Sequence, residues 1–427
     1  MKRNLPQRLK MSGWTTPLAY ASGALIVGLA LPRLEHHFMP GLVTTMSVTA
    51  AMAIYSSIAS GMIALTGIVF SLAFVMVQFS ATAYSPRLVL WVARDPVVSH
   101  ALGVFNATFL YALTVLAWVD RSASGKVPFI SGWLVFFLLL ASMGMFISLI
   151  HQIGSLQINR MLIFTGEHGR KAIQELYSST GSVTGGETMP KDHGLPVTQT
   201  LCHFGRPQVI QAIHVPVLVE RATAAGGVIE VVAAVGDTVL EMMPLLRVHG
   251  ARQPLDEEVL KAAIELGEER TFEQDPKYAI RIVVDIAIKA LSPAINDPTT
   301  AVQALDQIED LLLRLGRCRL EIGAFSDAQG KPRLIVPFPT WDDFLRLALD
   351  EIRSYGADSV QVMRRMKALI KNLTAVLPAD RHTALQHWEQ RLRGSIARSF
   401  ADAEEKRDAS VADRQGLGIG EEGTSSS

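Results

Sequence analysis

Between residues 38 and 86 the chain carries no Asp, Glu, Lys, Arg or His. A soluble domain keeps charged side chains along nearly all of its surface, so a stretch of this length has to be shielded from water. A bilayer provides that shield, and a helix crossing it needs roughly 20 apolar residues. Beyond Arg160 the charge density is that of an ordinary soluble protein. The sequence therefore divides into a membrane half and a soluble half.

Four runs pass the length test, at about 15–31, 45–79, 101–119 and 129–150. The second is too long for one upright helix in a hydrocarbon core of about 30 Å. It either projects beyond the bilayer or folds into two short passes at 56–61. No Pro, Asn or Asp marks a turn there, which favours one long helix. Trp14, Trp91, Trp118 and Trp133 lie near the ends of the runs, where indole rings settle at the interface. Lys2, Arg3, Arg8 and Lys10 precede the first run, Arg87 and Arg94 follow the second, and Arg160, Arg170 and Lys171 follow the fourth. The other side has Arg33, Arg121 and Lys126. This bias predicts an inner-membrane protein with both termini in the cytoplasm. The segment 85–96, opening Ser-Pro and mixing Leu88, Leu90 and Trp91 with Arg87 and Arg94, reads as a short interfacial helix or a plain connecting turn.

The expected fold class is a four-helix membrane domain at 13–154, followed by a cytoplasmic α+β domain. A helical connector and Gly/Ser/Thr loop cover 155–200, with the loop itself at 178–196. A small β unit follows at 201–250, with strands at 210–215, 217–220, 228–235 and 245–248. A mostly helical part covers 251–400, with helices at 256–266, 276–291, 298–315, 341–355, 359–376 and 381–400. A hairpin turning at 327–330 interrupts it, and 401–427 reads as a disordered tail. The piece VIEVVAAVGDTVLEMMPLLRV is similar to the GD-x-V-x-x-G-x-x-L turn of biotinyl/lipoyl-like modules. It lacks that pattern's second Gly and its carrier lysine.

Composition narrows the function. The formal net charge is zero, which gives nucleic acid no electrostatic footprint. Two cysteines, Cys202 and Cys318, make no disulfide framework. The first apolar run has no small-residue cleavage site and reads as an anchor. There is no P-loop, Cys-x-x-Cys, H-E-x-x-H or G-x-S-x-G. His382 and His387 miss a common helix face, and Cys202-His203 is a lone pair. The sequence leans away from an enzyme, and implies no cofactor, catalytic residue or metal.

The most distinctive stretch is LSPAINDPTTA at 291–301. Each residue before a proline is kept out of the α region, so a helix cannot run through it; Ser292-Pro293 and Asp297-Pro298 restart the chain twice. Upstream, Asp275 with Pro276 marks a helix start, and Arg281, Asp285 and Lys289 fall four apart on one face. The corner is expected to face the cluster Arg270, Gln274 and Asp275.

GEERTFEQDP and VVDIAIKALSPAINDPTTA, with GMIALTGIVFSLAFVMVQFSATAYSPRL and ALGVFNATFLYALTVL in the membrane half, closely resemble a family of predicted bacterial membrane proteins known as domain of unknown function 2254. The resemblance covers most of 13–377 and leaves out the loop 178–196 and the tail. It implies an integral membrane protein and little about activity.

Two sets of residues are candidates for function. Glu269, Arg270, Gln274, Asp275, Arg281, Asp285, Lys289, Asn296 and Asp297 form either a polar site at helix ends or a structural network, and capping explains much of the set without a ligand. In the second apolar run, Thr49, Ala53, Ser56, Ser60, Gly67, Ser71 and Gln78 recur on one helical face. Such a stripe is a packing face between helices or the wall of a wet pathway. Four spans make a thin bundle, so the expectation is a homo-oligomer in the lipid bilayer with this face toward its axis. The function read from it is a pore for small ions regulated by the cytoplasmic domain. The alternative is a membrane-anchored ligand-sensing module without a pore. No acidic or basic residue is expected inside a span, which argues against proton-coupled transport.

Overall fold

The computed structural model describes residues 15–39, 41, 42, 44–83, 96–121, 127–154, 158–178 and 194–418. It contains two compact units, Met1–Gln157 and Ile158–Ser427. The basic residues Lys2, Arg3, Arg8, Lys10, Arg87 and Arg94 lie outside the described residues, as do Trp14, Trp91, the proposed interfacial segment before Pro96, and most of the loop 178–196.

The first unit has four helices, α1 (Thr15–Phe38), α2 (Val48–Ala83), α3 (Pro96–Arg121) and α4 (Phe129–Gly154). All four are long and apolar enough to cross a membrane. α2 is one helix of 36 residues, continuous through 56–61, so the two-pass alternative is replaced by a rod of about 54 Å. Nothing in its sequence opens the backbone ladder. α3 is the hub. It packs against α1, α2 and α4, and Phe105 and Tyr111 on it are fully buried. α1 approaches α3 through small residues: a β-carbon at Gly28 would lie 2.0 Å from Thr114 Oγ1. α3 and α4 are joined by a buried hydroxyl pair, Thr108 Oγ1 and Ser142 Oγ, 2.9 Å apart.

One expectation fails here. α1 does not stop before Pro32 but runs to Phe38, so Arg33 and Glu35 lie within a candidate span. Glu35 is tolerated because the start of α4 supplies its partners. It is buried and accepts from Ile130 N (2.8 Å), Ser131 N (3.1 Å) and Ser131 Oγ (3.0 Å). The guanidinium of Arg33 lies 5.3 Å from the centre of the Trp118 ring.

The second unit opens with α5 (Ile158–Ser178). β1 (Val197–Cys202), β2 (Gln208–Ile213), α6 (Val215–Ala225), β3 (Val228–Val231), β4 (Thr238–Val239) and β5 (Pro244–His249) follow. Next come α7 (Glu257–Ala262), β6 (Ile264–Gly267), α8 (Pro276–Ala290) and α9 (Pro298–Gly316). The hairpin β7 (Ala324–Ser326) and β8 (Pro332–Ile335) precedes α10 (Trp341–Tyr355), α11 (Val360–Val376), α12 (His382–Ser399) and α13 (Ala403–Ala409). Two sheets, ordered β1-β5-β3-β8-β7 and β4-β2-β6, enclose a core that includes Ile210, Leu218, Ile229, Leu246 and Leu334. The hairpin joins the first sheet through parallel pairing of β8 with β3, so the strands at 324–335 complete the β unit despite the helices between them in sequence.

Three local readings are corrected. Residues 217–220 are helical: Pro216 sets the first turn, Leu218 and Ala222 bury one face, and Gly226 ends the helix at φ 68°. The helix expected at 256–266 ends at Ala262, and Ile264–Gly267 pairs with β2 instead. The tail is structured as far as it is described. Asp402 caps α13 by accepting from Glu404 N and Glu405 N, and the buried Asp413 accepts from Gln415 N and Gly418 N.

The turn resembling the biotinyl/lipoyl pattern is present, with Gly236 at φ 89° between β3 and β4. Met242 stands where that pattern has its second Gly, and it adopts φ 64°. A side chain in the left-handed region costs about 1–2 kcal/mol, and Met242 is 73% exposed, so little packing repays it. Met242→Gly is expected to raise the stability of the soluble unit by up to about 1 kcal/mol, the loss of strain being partly offset by glycine's entropy. Thermal melting of the two proteins checks this; a lower midpoint for the glycine variant would show that the exposed Met side chain contributes contacts.

Candidate functional sites

The polar residues singled out in the soluble half form groups along α8 rather than one cluster. At its start, Asp275 is 1% exposed; its Oδ1 accepts from Tyr278 N (3.2 Å), and its Oδ2 from Arg270 Nε (2.9 Å) and Nη2 (2.7 Å). The guanidinium of Arg270 lies 5.2 Å from the centre of the Tyr278 ring. Burial pushes the Asp275 carboxyl above its ordinary pKa, and the Arg270 charge opposes that push. The pair is wedged against the β unit, since a β-carbon on Gly236 would lie 2.4 Å from Asp275 Oδ2. Gln274, at φ 54°, accepts from Ile213 N at 3.1 Å, and the Glu269 carbonyl accepts from Gln211 Nε2 at 2.7 Å. Lys277 reaches Asp237 at 3.8 Å. The group therefore ties the start of α8 to the three-stranded sheet through β2 and to the turn between β3 and β4.

In the middle of α8, Arg281 Nε donates to Asp285 Oδ1 at 2.7 Å, and Arg281 also grips Glu351 of α10 through both terminal nitrogens. Glu351 first, then Asp285, holds the guanidinium more firmly charged than usual. Lys289, on the same face, is half-buried.

The corner lies at the other end of α8. Asp297 accepts from Thr300 N (3.1 Å) and Thr300 Oγ1 (2.5 Å), and its own N–H donates to Ala290 O at 2.8 Å. Asn296 is exposed at φ 47°, a conformation asparagine tolerates. Between Asp275 and Asp297 stand the 15 residues of α8, about 22 Å of helix. The expectation that the corner faces the Arg270–Asp275 cluster is thus overturned: sequence proximity across a helix places its two ends apart.

Elsewhere in this unit an open groove of about 460 Å³ is lined by His214, Val217, Glu258, Val259, Ala262 and Ala263. His214 Nε2 lies 2.8 Å from Glu265 Oε1 at its side. Among the described residues no group of three or more His, Cys, Asp or Glu could hold a metal ion.

The stripe on α2 has a different character. Thr49, Ala53, Ser56, Ser60, Gly67, Ser71 and Gln78 are all exposed. The opposite side of the helix, with Ala51, Tyr55, Ala59, Met62 and Val69, is buried. A β-carbon at Gly67 would meet nothing within 4 Å. Among the described residues, therefore, the hydroxyl stripe is not the seam between helices. That seam is built from Ala and larger apolar side chains against α3.

A family model described as predicted membrane protein (DUF2254) matches residues 10–372. The chain belongs to this family. The match takes in both candidate sets and all four apolar helices of this DUF2254 protein. An uncharacterized Mycobacterium bovis protein, Mb1321c, is 27% identical over 365 residues, which cover 82% of this chain and 68% of the relative. An uncharacterized Mycobacterium tuberculosis protein, Rv1290c, matches with the same identity and coverage. No solved structure matches the DUF2254 chain.

Sequence reading missed the groups that organise the membrane unit. Glu35 joins α1 to α4, and the hydroxyls of Tyr55 on α2 and Tyr111 on α3 are buried without a hydrogen-bond partner among the described residues. The lone Glu35 just after a Pro-Arg pair was the available signal. Pro32 lies inside α1 rather than ending it, so Glu35 falls within the helix beyond the apolar run at 15–31.

Proposed function

We propose that copies of this chain assemble in the bacterial inner membrane with the α2 stripe facing a common axis, forming a pathway for small ions. The observation that carries the reading is the exposure of Thr49, Ser56, Ser60, Gly67, Ser71 and Gln78 on a face the described helices leave uncovered. Small side chains let helices from different copies approach closely, and hydroxyls facing inward replace some of an ion's hydration. With no charged side chain on the stripe, selectivity is modest and set by size and hydration. The bias of basic residues flanking the spans supports a topology with both termini in the cytoplasm. The soluble unit then acts as the regulatory element, and the double-proline corner gives its helix pair a stiff joint. A second reading, an anchored ligand-sensing module, draws on the groove beside His214 and Glu265.

Ion flux in proteoliposomes separates them. Ser60→Leu or Ser71→Leu should cut flux several-fold while the oligomer keeps its size. Altered oligomer size would make the stripe a packing face, and no flux from the wild-type protein under voltage, tension or ligand would favour the sensing module.

A further inference from the structure

We infer that one end of the soluble unit, built by the SPAINDP corner together with Tyr355 and Leu417, rests in the headgroup region of the bilayer that the chain spans. This inference does not depend on the pore.

The helices of this unit share one polarity pattern. Gly166 lies against Gln307, Gly169 against Leu311, and Arg170 pairs with Asp310 at 3.0 Å. These contacts advance together along both chains, so α5 and α9 run parallel and their first residues are level. α11 follows the same direction, with Arg365 paired to Asp306 and Glu309, and Leu377 against Gly316 at the far end of α9. α8 and α10 end where these three begin, since a β-carbon on Gly356 would lie 3.2 Å from Leu291 Cδ1. The tail returns to the same place: Gly416 meets Gln361 and Gly418 meets Arg364, in the first turns of α11.

Three residues, 155–157, connect Gly154 of the fourth candidate span to Ile158. Their extended reach is at most about 14 Å. The end of the unit where α5 begins is therefore tethered close to the bilayer, and the corner before Pro298 is level with that tether. This end carries uncovered apolar side chains of interfacial type: Ile295 is 43% exposed, Tyr355 56% and Leu417 55%. Pro293 and Ala294 are exposed beside Ile295, and Arg160 and Arg414 are exposed at the same level. Tyrosine settles at the headgroup level, aliphatic side chains enter the acyl boundary, and arginines meet anionic phosphates. The stiffness of the corner then has a use, because it presents Ile295 at a fixed depth.

The test uses the full chain with Cys202→Ala and Cys318→Ala, and a single bimane label at Ile295→Cys, Tyr355→Cys or Leu417→Cys. Val376→Cys is the control. Val376 is 50% exposed and precedes Leu377, which lies against Gly316 at the end of α9, about 28 Å from the corner along that helix. The proteins are reconstituted in phosphatidylcholine–phosphatidylglycerol vesicles with or without a nitroxide-labelled lipid. The expected result is blue-shifted emission and strong loss of intensity from nitroxide lipid at the three test positions, with neither at Val376. Equal quenching of all four labels by aqueous iodide and none by lipid would overturn the proposal. Protection of the test labels from both quenchers would also overturn it, by showing that protein rather than lipid covers this end.

Discussion

Asp275→Ala should lower the stability of the soluble unit by about 2–4 kcal/mol, the largest single effect expected there. Three losses combine. The N-cap of α8 disappears, which alone costs about 1 kcal/mol. The buried carboxylate no longer neutralises Arg270, whose side chain is 26% exposed and so recovers only part of its hydration. The contact that seats Gly236 against the helix start also loosens. Asp275→Asn keeps an acceptor for Tyr278 N and should cost less than alanine. Thermal melting and folded yield of the detergent-solubilised protein check the order. Equal midpoints for wild type and the alanine variant would mean that the β unit is held to α8 by its apolar core alone.

Glu35→Ala should be comparably damaging to the membrane unit, at about 2–4 kcal/mol. Removing the carboxylate leaves the Ile130 and Ser131 N–H groups at the start of α4 without their acceptor, in a place where water does not readily replace it. α1 also loses its polar link to α4, leaving its packing on α3 through Gly28 and Gly103. Glu35→Gln retains one acceptor oxygen and should fall between the two. Midpoints of detergent unfolding for the three proteins provide the check, and an unchanged midpoint for Glu35→Ala would show that α1 is held by its apolar and glycine contacts.

The architecture was largely legible because its strongest signals are local. Length and apolar composition mark the four candidate spans, and Asp275-Pro276, Asp297-Pro298 and Ser359 mark helix starts at the positions the structure gives. What stayed hidden depends on distant partners. Residues 217–220 are β-branched, yet Pro216 and the burial of Leu218 and Ala222 make them helical. The sequence 401–413 is highly charged, yet Asp402 and Asp413 spend their carboxylates on backbone N–H groups and order it. Ser292–Asp297 and Arg270–Asp275 are both polar stretches close in sequence, but the 15 residues of α8 between them form a rod of about 22 Å that keeps them apart. Glu35 was missed because its partners lie about a hundred positions away, at residues 130 and 131.

If the α2 stripe lines a water-filled axis between copies, cysteines placed on it react with water-borne reagents, and substituted-cysteine accessibility in membranes measures this. The background is the cysteine-free variant, Cys202→Ala with Cys318→Ala. Ser60→Cys and Ser71→Cys are each exposed to a charged, membrane-impermeant thiol reagent during ion-flux measurement. Phe137→Cys on α4, which is exposed on the apolar surface of the membrane unit, serves as the lipid-facing control. Rapid modification is expected at Ser60→Cys and Ser71→Cys with a matching fall in flux, and none at Phe137→Cys. Stripe cysteines that stay as unreactive as the one at position 137 would contradict a water-filled axis.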